Sequence, residues 1–193
     1  EIRGAGDLLG ENQSGKISEI GFNLYHDLLK RTIHAIKNNT KLDIREALTE
    51  EVEISPGIAC IIPDTYLQDV HERLIIYKRI ASADNEEELK ELKIEMIDRF
   101  GALPDSTNNL FESTSLKNYS NDIGILKINI YDEKAEITLK EKNNIDTSKI
   151  INLIQTNPQQ FRLKNQNTLV INESMEPNLS RISKISKLLS TLV

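Results

Sequence analysis

Apolar residues along this chain follow two rhythms, and the change from one to the other predicts how it is organised. Ile17, Ile20, Leu24, Leu28, Ile33 and Ile36 recur every three to five residues as far as Asn38-Asn39-Thr40, the pattern of a long amphipathic helix with a polar stop. After Pro63-Asp64, the series Leu67, Val70, Leu74, Tyr77 and Ile80 predicts a second helix. Asp84-Asn85-Glu86 offers caps for a third, which Gly101 ends. Leu89, Leu92, Met96 and Phe100 form one face of that helix, while Glu88, Glu91, Glu95 and Asp98 form another at spacings of three and four. A weaker helical stretch runs from Leu103-Pro104-Asp105 to about Lys117, and Asn118 to Asp122 reads as a polar linker.

Elsewhere the period is two. Val52 and Ile54 alternate with Glu51 and Glu53, and Ala59 to Ile62 is a short apolar run ended by Pro63, so two short strands are expected. Leu126, Ile128 and Ile130, then the turn Asp132-Glu133-Lys134, then Ala135, Ile137 and Leu139 predict a β-hairpin. A short helix from about Thr147 to Thr156 stops before Pro158, and strands follow at Phe161 to Leu163 and Thr168 to Ile171. Leu179, Ile182, Ile185, Leu189 and Leu192 mark a closing amphipathic helix. The fold class is α+β: a helical first half, then a small hairpin and strand-helix-strand half closed by a C-terminal helix. Residues 1–15 hold four of the eight glycines and read as an extended loop, set apart from a domain over 16–193. That domain divides into a mainly helical part, 16–118, and an α+β part, 119–193.

Composition narrows the function classes. A chain of 193 residues, 38% hydrophobic and 28% charged, suits one globular domain or two small ones. No run approaches the length of a membrane span and the amino end lacks a secretory signal, so no membrane association and a cytoplasmic location are expected. A start that is not Met implies a piece of something longer. The single Cys60 excludes an intrachain disulfide and a cysteine-based zinc site, and its setting in Ile58-Ala59-Cys60-Ile61-Ile62 predicts a small buried hydrophobe. A formal charge of −6 argues against a free-standing nucleic-acid binder. Most of that charge lies between Asp84 and Asp98, where seven acids stand against Lys90 and Lys93 for a balance of −5.

Motifs for catalysis fail on inspection. Gly10 to Lys16 has the spacing of a P-loop, but Ile17 replaces the hydroxyl that holds magnesium and no strand precedes it. Gly4 to Gly10 resembles a dinucleotide fingerprint with its third glycine displaced. His26, His34 and His71 form no H-E-x-x-H pair, and there is no G-x-S-x-G elbow. No catalytic residue, cofactor or metal is therefore expected within these residues.

Two blocks carry a family likeness. Ile2-Arg3-Gly4-Ala5-Gly6-Asp7-Leu8-Leu9-Gly10-Glu11-Asn12-Gln13-Ser14-Gly15 resembles the translocation motif shared by transcription-repair coupling factors and the RecG branch-migration translocase. Ile62-Pro63-Asp64 through Arg73-Leu74, Tyr77 to Ala81, and Ile97-Asp98-Arg99-Phe100-Gly101-Ala102-Leu103-Pro104-Asp105 resemble the carboxy-terminal domain of the coupling factor and not RecG. The resemblance implies a parent that binds stalled RNA polymerase, moves on duplex DNA with ATP and magnesium, and recruits the excision-repair protein UvrA. It implies that Arg3 and Gln13 couple hydrolysis to movement. It further implies that this domain is a regulatory clamp on a UvrB-like domain, masking UvrA binding through Glu91, Glu95 and Asp98, with Glu95 and Asp98 foremost. Two other classes remain: a nucleotide-binding enzyme built on Gly10 to Lys16, and a stand-alone protein-interaction module.

Overall fold

Helix boundaries in the computed structural model, which describes residues 51–175 and 181–193, follow the capping chemistry of the sequence. Helix α1 (Val70–Ala81) begins where the Asp69 carboxylate accepts the Glu72 amide, and it places Lys78 and Arg79 in its last turn, where positive charge suits the helix dipole. Helix α2 (Glu86–Phe100) starts on Asn85, whose side chain accepts the Glu88 amide. It ends on Gly101 at φ +86°, a backbone conformation that favours glycine. Both bury their apolar stripes, Ile76 and Ile80 from α1 and Leu89, Leu92 and Met96 from α2, in a core completed by Ile62, Leu67 and Phe111.

Helix α3 (Asp105–Asp122) corrects the expected linker. Asn118 to Asp122 are helical, and no break falls there. The periodic signal is weak because the buried positions of α3 include Thr107 and Ser120 beside Phe111 and Leu116. Thr107 Oγ1 donates to the Ile61 carbonyl at 3.1 Å and Asn118 Nδ2 to the Ala83 carbonyl at 2.8 Å, so polar side chains dock this helix where apolar ones usually would. The helix serves two cores: Phe111 lies in the helical one, while Leu116 and Tyr119 face the sheet.

That sheet has five strands in the order β1-β2-β3-β5-β4. Strand β1 (Glu53–Ser55) runs parallel to β2 (Ile125–Ile130), and β2 pairs antiparallel with β3 (Lys134–Leu139). Antiparallel pairs then join β3 to β5 (Thr168–Asn172) and β5 to β4 (Phe161–Asn165). The expected alternation of Leu126 with Ile128 is broken by a bulge: Ile125 pairs with Leu139 and Lys127 with Thr138, leaving Leu126 as the extra residue. Ile125, Ile128 and Ile130 are therefore the buried positions of β2. Helices α4 (Thr147–Thr156) and α5 (Arg181–Leu192) pack on this half, with Ile150 from α4 and Ile182, Ile185, Leu189 and Leu192 from α5 in its core.

Ala59 to Ile62 is the other correction, because it forms no strand. Its backbone partners are the start of α3 and a tyrosine: the Ile61 amide donates to the Ser106 carbonyl at 3.2 Å, and the Ile62 amide to the Tyr77 hydroxyl at 2.7 Å. Cys60 is half-buried against the sheet core. Among the described residues no helix is long and apolar enough to cross a membrane. The 1–15 loop, the helix expected over Ile17 to Ile36, and Leu179 lie outside the described residues.

Candidate interdomain contact site

The acidic face of α2 is built from its caps inward. Glu88 is consumed by the N-terminus, where its carboxylate accepts the Asp84 amide at 3.1 Å and Asn85 Nδ2 at 2.9 Å, a reciprocal arrangement like a capping box. At the other end the Tyr66 hydroxyl lies 3.1 Å from the Met96 carbonyl and 3.0 Å from that of Gly101. The Tyr66 ring meets Phe100 edge-on at 6.1 Å between centroids, which fixes the last turn.

Between these ends, Glu95 joins the two antiparallel-facing sides of α1 and α2. Arg79 Nη1 and Nη2 donate to Glu95 Oε1 and Oε2 at 2.9 and 2.6 Å, a bidentate pair. Arg99, one turn on, donates to Oε1 at 3.0 Å and also to Glu72 on α1. Two arginines and two glutamates thus form a chain of pairs running Arg79–Glu95–Arg99–Glu72. Hydrogen bonds from Arg79, and then from Arg99, outweigh desolvation and pull the Glu95 carboxyl down to about 2.

Of the residues singled out from the sequence, Glu95 is therefore already paired within the domain. Glu91 and Asp98 are exposed, and neither has an ion pair or hydrogen-bond partner among the described residues. Ile94, 51% exposed, sits between them at helical spacing. A cleft of about 300 Å³ lies alongside, lined by Arg79, Ser82, Glu88, Glu91 and Glu95 among others. Arg3 and Gln13 lie outside the described residues. Sequence reading missed Glu72, Arg79 and Arg99. Arg99 was within reach, standing four residues after Glu95, whereas the Arg79 contact exists only once α1 packs on α2.

A larger cleft of about 680 Å³ lies among α2, α3 and α5, lined by Lys90, Lys93, Glu112 and Lys187 with several serines. Burial raises the Glu112 carboxyl, with Lys93 opposing. Burial also raises the Cys60 thiol, with Glu112 adding to the effect, so Cys60 is held as a neutral thiol and a poor nucleophile. No group of three or more His, Cys, Asp or Glu able to hold a metal ion occurs among the described residues.

Fold and face together define an α+β domain with a charged surface on two helices that pack in a core of their own beside a mixed five-stranded sheet. Residues 57–150 match the family model of the TRCF domain. Over 192 residues, the whole of this chain, the sequence is 36% identical to the transcription-repair-coupling factor of Escherichia coli (strain K12) and 38% identical to that of Haemophilus influenzae. It spans 17% of the length of each. A crystal structure of the C-terminal domain of transcription-repair coupling factor superposes with a TM-score of 0.57 at 22% identity, covering 74% of this chain and 96% of that one. The chain belongs to the transcription-repair-coupling factor family and carries its TRCF domain.

Proposed function

We propose that this chain is a regulatory part of its parent coupling factor, working by contact and not by chemistry. It clamps a UvrB-like domain of the same protein and masks the surface that binds UvrA until RNA polymerase is engaged. On this reading the parent is a cytoplasmic, ATP-dependent translocase on duplex DNA that displaces stalled polymerase and recruits excision repair. ATP and magnesium belong to its motor, and Arg3 and Gln13 couple hydrolysis to movement.

The observation that carries the clamp is the state of the acids on α2. Glu91 and Asp98 are exposed and unpaired within the described residues, while the neighbouring Glu95 is paired with two arginines. Unpaired carboxylates on a rigid helix suit a basic partner surface, and charged contacts give specificity while leaving an interface able to open. Reversing Glu91 and Asp98 to arginine in the full-length protein tests this without disturbing the Glu95 network. UvrA binding in the absence of polymerase is expected to rise about fivefold or more. Unchanged binding counts against the clamp.

A further inference from the structure

Strand β4 is the last strand of the sheet, and its outer edge is open among the described residues. Phe161, Arg162 and Leu163 stand opposite Ile171, Val170 and Leu169, and the Asn172 amide donates to the Gln160 carbonyl at 2.7 Å. Bonded pairs alternate along an antiparallel ladder, so Arg162 is the next residue tied to β5, and Leu163 turns its amide and carbonyl away from the sheet. Neither group has a partner among the described residues. Leu163 is itself 49% exposed and shares a cleft of about 630 Å³ with Leu139, Ile145, Ile150 and Ile151. Ile150 sits in the sheet core and Leu153 and Ile154 pack against it, yet Ile151 is 48% exposed. The apolar stripe of α4 therefore extends past the sheet on the side it shares with Leu163, where a further strand would lie beneath it.

We infer that β4 receives a further strand from elsewhere in the parent protein, with apolar side chains over Leu163 and Ile151 and acidic ones opposite Arg162 and Lys164. This is independent of the clamp reading. An open edge supplies main-chain hydrogen bonds, and the cleft selects alternate apolar side chains. Charge on the other face of β4 selects the rest: Arg162 is exposed with no ion pair among the described residues, and Lys164 has Glu136 at 3.1 Å. The opposite edge of the sheet already carries an addition of this kind. There β1, three residues long and from far earlier in the chain, joins β2 with Glu53 pairing Lys127 across the strands at 2.8 Å. A second copy of β4 fits badly, since Arg162 and Lys164 would face their own counterparts. A free peptide fits badly too, because so short an edge offers few bonds, whereas tethering within one protein supplies the effective concentration that a weak contact needs. This chain spans 17% of the length of its Escherichia coli and Haemophilus influenzae relatives, so in proteins of that length most of the chain lies outside it.

Hydrogen exchange resolved at single amides in the full-length parent protein tests this. The Leu163 amide is expected to exchange at least about tenfold more slowly than a free amide. The Val170 amide, which ties β5 to Arg162 inside the sheet, is the folding control. Ile151→Glu puts a charge beneath the added strand and cuts the protection of Leu163 about tenfold. Arg162→Glu repels its acidic side chains and cuts it about two- to fivefold. Val170 keeps its protection in both. A Leu163 amide that exchanges freely in the unsubstituted protein overturns the inference, and so does protection that both variants leave intact. Protection that rises with protein concentration assigns the strand to a second molecule and overturns the source within the parent. If Ile151→Glu also exposes Val170, Arg162→Glu decides alone.

Discussion

Arg181 Nη2 donates to Asp132 Oδ1 at 2.8 Å, tying the first residue of α5 to the turn between β2 and β3. The arginine is 2% exposed and its Nε and Nη1 donate to the carbonyls of Met175 and Gly57, so one side chain joins three loops at the edge of the sheet core. Its carboxylate partner is 87% exposed, which keeps that side of the pair solvated. Removing the buried partner strands two carbonyls and leaves a cavity, and Arg181→Ala is expected to cost about 3 kcal/mol. Asp132→Ala leaves the guanidinium two carbonyls and access to water, and should cost about 1 kcal/mol. Urea unfolding of both variants checks the order.

Gly57 belongs to the same junction and should be intolerant of any side chain. Its φ is +66°, and a Cβ there would lie 2.4 Å from the Ile130 carbonyl oxygen and 2.9 Å from Arg181 Nη1. Backbone strain adds to a clash that only movement of β2 or Arg181 relieves. Gly57→Ala is expected to lower stability by about 2 kcal/mol or more in the same measurement.

Much of this fold was legible because its signals are local. Asn85 and Gly101 bracket α2, the Asp132-Glu133-Lys134 turn separates β2 from β3, and the stripe from Ile182 to Leu192 defines α5. What stayed hidden depends on partners distant in the chain. The end of α3 looked like a linker because Asn118 finds its acceptor at Ala83, and Ala59 to Ile62 looked like a strand because its amides pair with α3 and Tyr77 instead of a neighbouring strand. Arg181 gave no hint of burial, since a lone arginine on an amphipathic helix reads as solvated. The contact face was half visible: the acids follow from helical spacing, whereas the pairing that sets Glu95 apart from Glu91 and Asp98 requires α1 beside α2.

Glu112 should respond to pH in the opposite sense to Glu95 and Glu136, whose carboxyls are lowered. Burial raises it above its ordinary value of 4.5, so the folded state holds a proton more readily than the unfolded one. Stability is then lost as pH rises from the unfolded value through the folded one. Glu112→Gln, neutral at every pH, is expected to be more stable than the parent at pH 7 and to lose that advantage below about pH 4. Thermal unfolding at the two pH values decides it, and an equal effect at both would rule out the ionisation as its cause.

Glu95 provides the converse case and a direct measure of the α1–α2 network. Its carboxyl is held down to about 2 from an ordinary 4.5, so its stabilising contribution is fully present above the unfolded value. That contribution is lost as pH falls from about 4.5 through about 2. Partial exposure of both arginines and of Glu95 itself screens the pairs, so Glu95→Gln should cost about 1 kcal/mol or less at pH 7. The difference between Glu95→Gln and the parent is expected to shrink progressively across that acid window. Using the difference also removes Glu136, whose carboxyl is lowered by Lys134 and Lys164 and which titrates alike in both proteins. Adding Arg79→Gln completes a double-mutant cycle whose coupling should fade over the same pH range. A coupling that persists to pH 2 would mean that the two side chains communicate through helix packing and not through the ion pair.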